Sequence, residues 1–118
     1  MNTREIGAWQ EEIAANYLRS QGMVILERNF RNRNGEIDII GRHDGYYVFV
    51  EVKYRKSNRQ GMPYEAVNYK KQRQICKVAD YYRLIHHLGD QTPVRYDVVS
   101  ICGEEIICYQ NAFYHTYR

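Results

Sequence analysis

Apolar residues recur at helical spacing from Arg4 to about Gln21, where Ile6, Ala14, Tyr17 and Leu18 fall along one stripe and Gly22 supplies a C-terminal stop. The period then changes. "MVILERNF", from Met23 to Phe30, reads as a strand, and Asn34-Gly35 marks a turn into a second strand, "EIDIIGR". Asp44-Gly45, the dipeptide best suited to a two-residue hairpin turn, leads into a third, "YYVFVEVKYR". After the loop "KSNRQGM", Pro63 is a good first helical position. From there to Leu88 the spacing places Ile75, Val78, Ala79, Tyr82 and Ile85 on one face, and Gly89 ends the helix. Beyond Pro93, "VRYDVVSI" reads as a largely buried strand and "EEIICYQ" as a shorter one at an edge, followed by an aromatic tail, "NAFYHTYR". The order α-β-β-β-α-β-β predicts an α/β fold with a mixed sheet flanked by helices.

At 118 residues the chain has room for one core, hence a single domain over residues 1–118. Cys76, Cys102 and Cys108 are odd in number and lack CxxC spacing, which argues against a disulfide framework or a zinc site and for reduced thiols. His86, His87 and His115 have no ligand spacing either, and Trp9 is expected in the core. The N-terminal segment has no apolar signal core and no later run approaches membrane-spanning length, so a cytoplasmic protein without a membrane partner is expected.

The formal charge is only +3, so its distribution matters more than its sum. Basic residues gather in "RNFRNR", "KYRKSNR" and "KKQRQICK". Arg31, Arg33, Arg55, Lys56, Arg59, Lys70 and Lys71 are the candidate contacts to nucleic-acid phosphates, although a solvated face explains any one cluster taken alone. Lys71 stands apart, because it lies four residues before Ile75 on the core-facing stripe.

The third element of the picture is the acid content of the hairpin. Counting outward from Asp44-Gly45 sets His43 opposite Tyr46, Ile39 opposite Val50, Asp38 opposite Glu51 and Glu36 opposite Lys53. Directly opposed residues share a sheet face with Cβ atoms about 4.5–5.5 Å apart, so Asp38 and Glu51 are expected side by side. Their repulsion calls for a shared proton, a neighbouring cation or a bound divalent metal. Hard carboxylate oxygens suit Mg²⁺ or Mn²⁺, and Lys53, on the face of Glu51, could position a water or stabilise developing negative charge. Glu36 could hold Lys53 or be an extra ligand. Ile37, Ile39, Val50 and Val52 are expected to face the core. On the first helix Glu11 lies on the apolar face, three residues before Ala14, whereas Glu12 points toward Arg19 and solvent. Asp97 reads as a paired structural acid or a neighbour of the site.

"EEIAANYL", "GMVILERNFR", "GEIDII", "FVEVKYR", "GMPYEAV" with its following lysine, and "RYDVVSI" together resemble the YraN family of small bacterial proteins over nearly the whole chain. That family is similar in turn to archaeal Holliday-junction resolvases and to restriction-endonuclease-like PD-(D/E)xK nucleases. The resemblance implies a nuclease-like fold with Asp38 as the motif's first acid, Glu51 as its second, Lys53 as its lysine and Glu11 as the acid of the leading helix. Asp38, Glu51 and Glu11 would then be the metal ligands. Ile37 stands where the motif's nominal name has proline, and Gln10 where many relatives carry glycine; neither position is a ligand.

Two function classes follow, with a third behind them. One is a Mg²⁺- or Mn²⁺-dependent endonuclease hydrolysing DNA, including branched DNA of recombination or repair. Another is a nucleic-acid-binding or accessory protein that keeps the fold without cleavage, and the last a metal-free scaffold. A junction cutter needs paired sites and so favours a homodimer, yet no segment advertises an interface or a protein partner.

Overall fold

A computed structural model describes residues 2–56 and 67–116, with the expected element order and a mixed sheet flanked by two helices. The elements are α1 (Thr3–Ser20), β1 (Val24–Asn32), β2 (Gly35–His43), β3 (Tyr46–Arg55), α2 (Tyr69–Ile85), β4 (Val94–Cys102) and β5 (Glu105–Phe113). The strands lie in sequence order across the sheet; β3 and β4 are parallel, and the other pairs antiparallel. Parallel pairing of β3 with β4 requires a crossover, and α2 provides it.

Asn2 caps α1 in a capping box with Glu5, and the helix stops where Gly22, at φ 95, turns the chain. The Met23 N–H bonds the Leu18 carbonyl and the Gly22 N–H that of Arg19, both at 3.0 Å, the paired bonds of a Schellman end. The second helix departs from its expected limits at both ends. A helix running unbroken from Pro63 is excluded by Val67 and Asn68, which are not helical, and Pro63 itself lies outside the described residues. Asn68 caps α2 by accepting from the Lys71 N–H at 2.9 Å. At the far end His87, at φ 56, takes the left-handed position expected of Gly89, and the Leu88 N–H closes the turn on the Arg83 carbonyl.

The helices cover opposite faces of the sheet. Ala14, Ala15 and Leu18 of α1 pack with Ile39, Val48, Val50 and Val99, whereas Ile75, Val78, Ala79 and Tyr82 of α2 pack with Ile37, Ile40, Phe49 and Tyr96. Ile6 and Trp9 are corrections to the expected core: both are exposed, Trp9 at 55%. Trp9 lies roughly half a turn around α1 from Leu18, on the side away from the sheet. Among the described residues, no helix is long and apolar enough to cross a membrane.

Gly41 lets α1's connection reach the sheet. An added Cβ would stand 2.6 Å from Met23 Sδ and 2.9 Å from the Val24 carbonyl oxygen, a backbone atom that cannot swing aside. We therefore expect Gly41→Ala to lose about 1–3 kcal/mol of stability by overpacking. Thermal denaturation checks this; an unchanged melting temperature would refute it.

A candidate metal and phosphate site at the fork of β2 and β3

Asp44 and Gly45, at φ 51 and 84, form the expected turn, and the register runs as counted from His43↔Tyr46 to Ile39↔Val50. There the pairing ends. The expected opposition of Asp38 to Glu51 and of Glu36 to Lys53 is thus replaced by a fork, in which the Val52 N–H donates to Asp38 Oδ2 at 2.7 Å. A carboxylate has taken the place of a ladder carbonyl, wedged where the two strands part.

Below the fork β2 stays paired with β1 alone, Arg31 standing opposite Glu36. Asn29, at φ 54, sits between the pairs Arg28↔Ile39 and Phe30↔Ile37. This local rotation accounts for a second difference: Ile37 joins the α2 cluster, while Ile39 and Val50 join that of α1, with half-buried Val52 against it.

The fork collects three acids from two elements. One carboxylate oxygen each from Glu11 of α1 and Glu36 and Asp38 of β2 lie within 4.8 Å of one another, all three residues half-buried. With its nitrogen turned toward them, the Asn29 amide donates to Glu11 at 3.1 and 3.2 Å and to Glu36 at 2.9 Å. Glu36 also has Arg31 Nη2 at 3.8 Å. Glu12, as expected, faces outward; it pairs with Arg28 at 2.6 Å and Arg19 at 3.6 Å, and the Arg28 bond holds its carboxyl below the ordinary value.

Glu51 is outside this group of three. It is buried, with its Oε1 between Lys53 Nζ at 3.6 Å and Lys71 Nζ at 3.9 Å. Burial raises its pKa and the two lysines, Lys71 first, oppose the rise. Asp38 is pushed up to about 7, first by burial and then by the charge of Glu51, with the Val52 hydrogen bond acting against both. The two acids therefore repel each other although they are not paired across the strands.

Whether these residues suit a divalent cation can be judged from the donors. All are oxygens, the preference of Mg²⁺ and Mn²⁺. In an octahedral Mg²⁺ shell neighbouring oxygens stand about 3 Å apart and opposite ones about 4 Å, so a small inward movement brings three oxygens within 4.8 Å onto one ion. The residues fit.

The basic candidates divide. Arg31, Arg33, Lys56 and Lys70 are exposed, and half-buried Lys71 turns to Glu51. Arg55 is a correction: it is only 5% exposed, since the inward alternation of β3 continues to its last residue, so it is no surface phosphate contact. Arg59 lies outside the described residues. Asp97 is a paired acid, held by Arg95 at 2.9 Å. Sequence reasoning passed over Asn29 altogether; asparagine's tolerance of positive φ was the only signal it offered.

A family model described as "Uncharacterised protein family UPF0102" matches residues 10–101. The chain is similar to a UPF0102 protein of Lachnoclostridium phytofermentans, 51% identical over 113 residues and covering 96% of each chain. It also resembles UPF0102 proteins of Caldicellulosiruptor bescii, 48% identical over 86% of this chain and 85% of the relative, and of Syntrophotalea carbinolica, 48% identical over 81% and 77%.

Proposed function

This chain belongs to the uncharacterised protein family UPF0102, the YraN family, and from that premise we propose that it is a cytoplasmic nucleic-acid-binding protein and a Mg²⁺- or Mn²⁺-dependent DNA endonuclease. The observation that carries the reading is the fork itself, where clustered acids on one side adjoin an acid held between two lysines on the other. A phosphodiester substrate needs both halves: oxygens for a cation, and ammonium groups for its own charge.

Asp38 and Glu11, whose oxygens converge at the fork, would hold the ion, with Glu51, the second acid the resemblance implies, adjoining them from between its two lysines. When bound, it supplies Lewis acidity and an acidified water. The protein's own groups do the rest. The Val52 N–H fixes the Asp38 carboxylate, so its orientation does not depend on a flexible rotamer. Lys71 and Lys53 oppose the rise that burial imposes on the Glu51 carboxyl. Both Lys–Glu distances exceed a tight hydrogen bond, which leaves ammonium protons for a phosphate oxygen. As the attacking water's oxygen bonds to phosphorus, its proton passing to solvent, and the ester oxygen departs and takes a proton from solvent, Lys53 Nζ would stabilise the added negative charge. Exposed Arg31, Arg33, Lys56 and Lys70 would meet backbone phosphates, including those of branched DNA, on which a homodimer would act.

A panel of branched, single-stranded and duplex DNAs assayed with each divalent ion tests the proposal. Wild-type protein should nick at least one substrate, and Lys53→Met should cut at least about 10²-fold more slowly while still folding. Salt-sensitive binding without cutting under any divalent ion would overturn catalysis and leave the accessory, binding-only role.

A further inference from the structure

We infer that Asn29 and Glu36 complete the cation shell at the fork, the Asn29 amide giving its nitrogen to the acids when the site is empty and its oxygen to the cation when one is bound. The inference rests on the divalent-ion reading of the site and assigns it two further residues.

The first observation concerns charge. Three acids converge from α1 and β2, yet among the described residues no lysine or arginine nitrogen lies within 4.0 Å of a Glu11 or Asp38 oxygen. Arg31, the one cation paired with Glu36 among the described residues, stays at 3.8 Å and reaches outward, its side chain 72% exposed. Positive charge is what this group of side chains lacks.

The second concerns spacing. The Asn29 side-chain atom nearest the acids is 2.9 Å from Glu36 Oε1 and 3.1 and 3.2 Å from the two oxygens of Glu11. For a nitrogen these are ordinary hydrogen bonds. For an oxygen they are repulsive contacts, unless a cation sits among the oxygens, in which case about 3 Å is the separation of neighbouring ligands around Mg²⁺. Nitrogen and oxygen of a primary amide are nearly isosteric, and the terminal torsion of asparagine is broad and roughly two-fold. Half a turn about that bond exchanges a donor for a ligand and leaves every other atom in place. Asparagine serves both states; aspartate would serve only the loaded one, and glycine neither.

Glu36 follows from the same geometry. Its oxygen is one of the three within 4.8 Å, on the same strand as Asp38 and two residues before it, and its bond from Asn29 is the shortest of the set. An extra carboxylate in the shell adds affinity that the motif's acids alone do not supply.

Binding of Mn²⁺ to the DNA-free protein, followed by the electron paramagnetic resonance of the free ion, tests this without reference to cleavage. Asn29→Gly suits the left-handed backbone and so removes the amide without straining the fold. It and Glu36→Gln should each weaken Mn²⁺ binding at least about 10-fold, with circular dichroism unchanged. Asn29→Asp, which always presents oxygen, should bind Mn²⁺ at least as tightly as the wild type and should melt lower than it only when the ion is withheld. Wild-type affinity in either Asn29→Gly or Glu36→Gln, or weaker binding by Asn29→Asp than by Asn29→Gly, overturns the inference alone. A wild-type protein that takes up no Mn²⁺ overturns the cation reading with it.

Discussion

Asp38→Asn should lose metal-dependent cleavage and, in metal-free buffer at pH 8, melt at a higher temperature than the wild type. The loss of activity follows from removing a charged oxygen where the acids converge, and should be at least about 10²-fold, since outer-shell changes alone cost 10–100-fold. The gain in stability follows from the carboxyl's pKa, raised from 3.8 to about 7 by burial and by Glu51. Between those values the folded protein holds a proton that the unfolded chain has released. Folding therefore binds protons, stability falls as pH rises through that window, and the penalty is complete above pH 7. At about 1.4 kcal/mol per unit the ceiling is roughly 4 kcal/mol; water reaching the fork lowers this, and we expect about 1–2 kcal/mol. Asparagine keeps an oxygen for the Val52 N–H and cannot ionise. Melting temperatures of both proteins at pH 5 and pH 8, with chelator present, give the test: the gap should open at pH 8 and narrow at pH 5. A gap of the same size at both values would mean that Asp38 does not titrate as described. Mg²⁺ should close part of it at pH 8 by stabilising the wild type alone.

That behaviour depends on the fork, which marks the limit of what a strand pattern can tell. Asp44-Gly45 was sufficient to define the turn, and with it the register down to Ile39↔Val50, because both residues adopt the positive φ that a tight hairpin demands. Counting onward assumed that a ladder continues while both segments remain extended. It stops at Asp38 because that side chain competes with the backbone for the Val52 N–H, an interaction without a signature in residue type. The same limit explains Glu36, expected opposite Lys53 on β3 but standing opposite Arg31 on β1 once the strands have parted. Lys71 was legible for the opposite reason. Four residues before Ile75, it was bound to turn inward with the core stripe, and Glu51 is what it meets. Arg55 shows alternation outweighing composition, since its position on β3 decides its burial although its neighbours in "KYRKSNR" suggested a basic surface. The helix ends were misjudged where residues other than glycine and proline did the work: Asn68 as a cap, His87 as the left-handed residue.

Asp97→Ala should be the most damaging single truncation away from the fork, costing about 3–5 kcal/mol. The carboxylate has no exposed side-chain surface and makes three contacts with Arg95: Nε to Oδ1 at 2.9 Å, Nε to Oδ2 at 3.2 Å and Nη2 to Oδ2 at 2.9 Å. It also accepts the Asn111 N–H at 2.9 Å. That N–H needs a side-chain partner because the β4–β5 register slips between Tyr96 and Val98 and Asn111 turns to φ 55. Alanine would strand a buried guanidinium and an N–H together. His43 cannot compensate: its Nδ1 already faces Arg95 Nη2 at 3.0 Å and its Nε2 the Gln21 carbonyl at 3.1 Å. Much of the loss is the desolvated charge left behind rather than the worth of the pair, so removing both partners should be far milder. Arg95→Met combined with Asp97→Leu should recover at least half of the stability lost in Asp97→Ala, as read by urea denaturation. A double variant as unstable as the single would mean that the pair, and not the orphaned guanidinium, carries the energy. Because Asp97 touches β5 and not the acid cluster, any nicking activity should survive in the double variant, separating the acid that holds the sheet together from the acids at the fork.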